Sequence, residues 1–169
     1  MMRLNRRRLV FGLYLIVLVA IAELVSGYLK VPVWPAFVAL VLFFIEHMNV
    51  KRVPAILIGA LVGIAMILAA PSMIALFARA LGPEWGQLAY ILLAVYLIVA
   101  LGEMLPLMFN SFAFMYLTIS GLALATPNPN PYLWAVMAAV GGGLLIAGAV
   151  LIEKMVGLHA PQTELNLAR

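Results

Sequence analysis

GEMLPLMFNSFAF, residues 102–114, follows a run of almost pure hydrocarbon, ILLAVYLIVAL (91–101), and leads into another apolar segment. Within eight residues it holds a carboxylate (Glu103), a helix breaker (Pro106) and an amide (Asn110). Pro106 removes a backbone donor and frees the carbonyl four residues earlier. Broken backbone is tolerated at membrane depth only when buried in protein or lining a wet cavity. A helix restarting at Asn110 would also aim amide N–H groups into the membrane, where they suit an anionic or polar solute. The stretch therefore predicts a polar break between two apolar helices.

The rest of the chain says what solvent surrounds that break. Of 169 residues, 67% are hydrophobic and only 9% charged, with a mean hydropathy of +1.17. Soluble domains carry about a quarter charged residues, so the expected solvent is lipid. Six apolar runs follow: 9–29, 33–48, 54–70, about 86–103, about 110–125 and about 132–155. PSMIALFARAL (71–81) either extends the third run past Pro71 or lies in the interface. A full span needs about 20 apolar residues, and the second and fifth runs fall short. The fold class expected is all-α: a polytopic membrane protein of six transmembrane helices, with short or broken second and fifth helices. A basic N-terminus (1–8) precedes the membrane domain (9–156), and a polar tail (157–169), GLHAPQTELNLAR, reads as disordered.

Charge placement gives an orientation. Arg3, Arg6, Arg7 and Arg8 open the chain, and Lys51 and Arg52 follow the second run. By the positive-inside rule both groups, and with six spans the C-terminus, face the cytoplasm. Trp34, Trp85 and Trp134, joined by Tyr28 and Tyr132, then fall at the outer ends of their spans as an aromatic belt. Basic clusters beside apolar spans contact anionic lipid, and nothing here suggests nucleic acid. Arg6–Arg8, an apolar run and Ala20-Ile21-Ala22 also resemble a cleavable secretory signal. The apolar run continues through Leu24, Val25 and Tyr28, which favours a retained span.

The short runs occupy corresponding places, which suggests two repeats of three (9–80 and 86–156). An odd-numbered repeat must be inserted upside down the second time, the plan of many transporters. Small residues recur every four positions in the third run (Ala55, Gly59, Gly63) and in the sixth (Ala139, Gly143, Ala147), a pattern that serves close helix packing. Glu23 falls about 21 Å into the first span and Glu103 about 26 Å into the fourth, at 1.5 Å per residue. A carboxylate within a span is costly and marks a pathway by default. Ser111 and Thr118 add hydroxyls on one face of the fifth run, although hydroxyls in lipid commonly bond a backbone carbonyl. Candidate pathway residues are thus Glu23, Glu103, Pro106, Asn110, Ser111 and Thr118, with Gly59, Gly63 and Gly143 as packing residues.

Other polar residues suggest little chemistry. Glu46 and His47 are adjacent and form a solvated edge, since a metal site needs three or four converging ligands. His159 stands in the tail, and Glu153 and Lys154 close the last span. The chain has no cysteine and no aspartate. No nucleophile–base–orienter set, phosphate loop or dinucleotide fingerprint can be named, so no enzyme, metal or cofactor is expected.

VPVWPAFVALVLFF, VPAILIGALVGIAMILAA, LPLMFNSFAFMYLTISGL and the Gly-rich last run together resemble the small YcdZ-like inner-membrane proteins, a bacterial family of unknown function. The resemblance covers residues 9–156. That family's break carries a Pro-Gly pair where this chain has Asn110-Ser111. HPP-type membrane proteins, implicated in nitrite movement, are similar in layout, but this chain lacks a His-Pro-Pro motif. The likeness implies a compact inner-membrane domain and leans toward small-solute transport. The expected function is a small-solute or ion permease or channel, homo-oligomeric in the lipid bilayer. The alternative is a non-transporting accessory subunit that binds another membrane protein.

Overall fold

The computed structural model describes residues 6–157, and every regular element in that range is helical. Arg3, His159 and nearly all of the polar tail lie outside the described residues. The helices are α1 (Arg6–Leu29), α2 (Trp34–Ile45), α3 (Val53–Leu81), α4 (Pro83–Gly102), α5 (Ser111–Ala123) and α6 (Pro131–Val156). Four of them, α1, α3 (with the Val50–Arg52 turn ahead of it), α4 and α6, are long and apolar enough to cross a membrane. With 12 and 13 residues, α2 and α5 reach only ~18–20 Å, against a hydrocarbon core of ~30 Å.

Local chemistry sets the helix ends. α2 stops in a Schellman turn: His47 takes a left-handed φ of 55°, and the N–H groups of His47 and Met48 donate to the carbonyls of Phe44 and Phe43, both at 3.0 Å. Asn49 then accepts from the Lys51 N–H at 3.1 Å and opens the turn that feeds α3. α3 runs straight through Pro71 for 29 residues, so PSMIALFARAL extends the helix. Gly82, with φ 96°, alone separates α3 from α4. Inside α6 a π turn occupies Met137–Gly141.

Contacts along the helices give their directions. Up α3, Gly59 faces Phe112, Gly63 faces Tyr116 and Ile67 faces Gly121, so α3 and α5 run parallel. The rings of Trp34 and Trp134 meet edge-on at 5.4 Å, and Ala36 lies against Gly141, so α2 and α6 start together. Arg7 donates to the Gly157 carbonyl at 3.1 Å and Leu18 packs on Gly148, so α1 and α6 are antiparallel. Gly86 packs on Ile74 and Ala78, and the one-residue connection makes α4 antiparallel to α3.

The core lies where α2, α3, α5 and α6 cross. It is filled by Ala36, Phe43, Ile56, Ala60, Ile64, Tyr116, Trp134, Ala138 and their neighbours. A smaller cluster, Ala70, Tyr90 and Ala94, joins the far half of α3 to α4. Two sequence expectations change here. Trp134 is only 3% exposed, held by the Trp34 ring, and so is a core residue and no part of a belt, unlike exposed Tyr28, Trp85 and Tyr132. The close packing position in α6 belongs to Gly142, where a Cβ would come within 2.7 Å of the Ala39 Cβ. Gly143 meets only the Leu57 side chain, at an ordinary 3.8 Å. Three consecutive glycines offer three registers, and the π turn is where the register is set.

Candidate functional site

The break at 102–110 folds into a closed set of turns. Met104 and Leu105 donate backbone N–H groups to the Leu101 carbonyl, at 3.1 and 2.8 Å. Beyond Pro106, Met108 and Phe109 donate to the Leu105 carbonyl, at 3.0 and 2.9 Å. Asn110 ties the segment together. Its Oδ1 accepts from the N–H groups of Phe112 and Ala113, both at 3.0 Å, which caps α5. Its Nδ2 donates to the carbonyls of Pro106 (3.0 Å) and Leu107 (3.1 Å), and across to Ala55 on α3 (3.3 Å). The amide is thus satisfied on both sides. The Phe112 and Ala113 N–H groups at the start of α5 are occupied by the cap and are not aimed at a solute.

This pin sits over the closest of the glycine-mediated helix contacts among the described residues. A Cβ on Gly59 would fall 2.6 Å from Asn110 Oδ1, and one on Gly63 would fall 2.8 Å from the Leu117 nitrogen. Only glycine lets the two backbones approach so closely. Beside the pin, Arg52 pairs with Glu46 at 2.9 Å and its guanidinium lies 5.7 Å from the centre of the Phe112 ring. The pair is partly exposed, so it is worth at most about 1 kcal/mol. The cation–ring contact fixes the α2–α3 connection against the start of α5.

Apart from Asn110 and Pro106, which are joined by a hydrogen bond, the predicted pathway residues do not converge. Glu23 is exposed on α1, a helix that packs mainly on α6. Glu103 is exposed and lies just past the 20-residue α4, at the end of the bundle and not within it. Ser111 and Pro106 are exposed, and the Thr118 hydroxyl donates to the Phe114 carbonyl at 2.9 Å, the local bond that hydroxyls in lipid commonly make. Among the described residues no group of three or more His, Asp or Glu side chains could hold a metal ion.

Sequence reasoning missed the buried polar links. The Tyr116 hydroxyl donates to the Pro35 carbonyl at 2.6 Å and joins α5 to the first turn of α2. Tyr90 donates to the Met66 carbonyl, joining α4 to α3. Ser26 at the end of α1 donates to the Val31 carbonyl. The Ser120 hydroxyl is fully buried and has no partner among the described residues. Ala113, Tyr116 and Ser120 fall three and four residues apart, so the buried face of α5 was open to a helical-period reading. A groove of about 340 Å³ lies between the second half of α1 and the π turn, walled by Val25, Leu29, Val31, Val136, Met137 and Leu144 among others. Its walls are almost wholly apolar.

No family model, no curated protein and no solved structure matches the chain.

Proposed function

We propose that the chain is a six-pass membrane subunit, two inverted repeats of three helices, that works through its outward faces against another membrane-embedded chain. One observation carries this reading. The crossing of the central helices is packed with apolar side chains, whereas the acidic groups Glu23 and Glu103 are exposed on the outside. A solute crossing a single chain would meet Phe43, Ile56, Ile64 and Trp134 before any carboxylate. A carboxylate exposed along a span is expensive in lipid, and a neighbouring helix relieves that cost.

The repeat has residue-level support. Pro35, Ala36, Ala39 and Phe43 are buried in α2, and Phe112, Ala113, Tyr116 and Ser120 are buried in α5. The spacing is the same throughout (35 to 112, 36 to 113, 39 to 116, 43 to 120). The contacts exchange too. Gly63 of α3 meets Ala113 and Tyr116 of α5, and Gly142 of α6 meets Ala36 and Ala39 of α2. α3 packs on α4 and α5, as α6 packs on α1 and α2. The helix directions alternate, an arrangement that suits two triplets related by a half-turn about an in-plane axis.

Orientation follows from charge. Arg6, Arg7, Arg8, Lys51, Arg52 and Lys154 collect at the end shared by the start of α1, the α2–α3 connection and the end of α6. The positive-inside rule assigns that end to the cytoplasm. Membership of the YcdZ-like inner-membrane proteins belongs to this proposal and agrees with its layout.

A second reading keeps transport, with the pathway running between copies. It is favoured by Glu23, which lies about 22 Å beyond Arg8 at 1.5 Å per residue. Side chains on a helix tilt toward its N-terminus, so the carboxyl leans deeper into the membrane and away from the nearer outer surface. The deciding experiment uses the absence of cysteine. Ala20→Cys, on the exposed side of α1, is crosslinked oxidatively in native membranes, and the purified chain is assayed for ion and small-solute flux in vesicles. A crosslinked adduct with no protein-dependent flux is the expected outcome. Flux abolished by Glu23→Gln in a folded protein would replace the first reading with the second.

A further inference from the structure

Pro71 stands inside α3 and has no N–H, so the Ile67 carbonyl four residues earlier receives no bond from that position of its own helix. Ile67 is buried, and its side chain lies against Gly121 of α5, next to Ser120. The Ser120 hydroxyl is itself fully buried and bonds none of the described residues. One seam thus holds an acceptor that has lost its donor and a hydroxyl that has neither donor nor acceptor. From this pairing we infer a site for one water molecule between α3 and α5, bonded to Ser120 Oγ and to the Ile67 carbonyl oxygen.

Three observations carry the assignment. The first is need. In lipid, a backbone group freed by proline is served by a neighbouring helix, a hydroxyl side chain or an ordered water. Two other hydroxyls of this region are spent elsewhere: Tyr90 donates to the Met66 carbonyl and Thr118 to the Phe114 carbonyl. Ser120 does not make the local bond that Thr118 makes on the same helix, so its proton is free to turn across the seam. The second is room. A Cβ on Gly63 would fall 2.8 Å from the Leu117 nitrogen, whereas one on Gly121 would meet Ile67 Cδ1 at an ordinary 3.7 Å. The helices therefore part along the seam, from backbone contact at Gly63 to side-chain contact at Ile67, and a water needs only about 10–15 Å³. The third is chemistry. Water donates and accepts, so one molecule completes both groups. A hard cation takes about six to eight oxygen ligands, far more than one hydroxyl and one carbonyl. Served from outside its own helix in this way, the Ile67 carbonyl lets α3 stay helical through Pro71 as far as Leu81.

The test is a double-mutant cycle on the full chain, unfolded reversibly in mixed detergent and followed by circular dichroism. The variants are Ser120→Ala, Pro71→Ala and the two together, and neither substitution adds bulk. Ser120→Ala should lower the folded-to-unfolded ratio about three- to tenfold, because the Ile67 carbonyl loses its bridge. Pro71→Ala returns an N–H to that carbonyl. In its background Ser120→Ala should therefore change the ratio by less than about twofold, the cycle having subtracted whatever Pro71→Ala does alone. An unchanged or raised ratio for Ser120→Ala in the parent chain would overturn the site, since an unbonded hydroxyl is better removed. A loss of equal size in both backgrounds would overturn the link to the Ile67 carbonyl. The water is read separately by hydroxyl-radical footprinting with X-ray-generated radicals, which oxidises side chains beside bound water. Oxidation of Met66 or Ile67 in the parent chain, lost in Ser120→Ala, is expected. Coupling in the cycle without such oxidation would overturn the water in favour of a direct bond between the two helices.

Discussion

α3 and α5 meet through their backbones, while α2 and α6 meet through side chains. In the first pair, Gly59 and Gly63 face the Asn110 oxygen and backbone atoms of Ala113 and Leu117. In the second, Gly141 and Gly142 face the methyl groups of Ala36 and Ala39, and the Trp34 and Trp134 rings close the end. The first seam starts beneath a polar pin, Asn110, that ties three segments together. The second has a π turn at the corresponding level. The two crossings are therefore built from different residues. Small residues at the crossing are the common requirement, because neighbouring helices in lipid associate through close packing.

That contrast can be broken at graded cost. Gly63→Leu should do the most damage, about 3 kcal/mol or complete loss of the folded form, because its neighbours are main-chain atoms that cannot rotate away. Reversible unfolding in mixed detergent, followed by circular dichroism, measures it. Gly142→Leu should cost less, about 1–3 kcal/mol in the same assay, since the first obstacle is one methyl group. If Gly142→Leu proved the more harmful, the ranking of the two seams would be reversed. Asn110→Ala removes the cap of α5 and its reach to Ala55, for about 0.5–2 kcal/mol. It should also speed protease cleavage between residues 103 and 110, a readout that the α2–α6 seam would not share. Gly143→Leu sharpens the comparison from the other side. With only the Leu57 side chain nearby, its effect should stay within about 0.5 kcal/mol. A large effect there would mean that the sequence register Ala139–Gly143–Ala147 is the true packing face.

Several of these features were open to reading in the chain itself. The apolar runs announced the helices, and too few residues between breaks announced that α2 and α5 would be short. Gly59 and Gly63 were identifiable because spacing of four is one helix face. Gly143 was not, because Gly141, Gly142 and Gly143 are interchangeable until a π turn chooses among them. Pro106 and Asn110 marked a break correctly, but their use was not visible. An amide followed by a helix has the same sequence whether it caps that helix or receives a solute. Trp134 was placed at an interface by its position near a span end, and the deciding factor was a second tryptophan a hundred residues away.

By itself, then, the sequence determined the apolar runs, the shortness of α2 and α5 and the basic cluster at the start of α1 and before α3, because these depend on composition and on neighbours within a turn or two. Only the tertiary structure decided that Asn110 is consumed by its own backbone, that Glu23 and Glu103 stand apart on the outside, and that Ile67 lies against Gly121, next to Ser120. Such facts rest on contacts between residues far apart in the chain. No local periodicity encodes them, since in lipid every helix face is apolar and hydrophobicity no longer says which face turns inward.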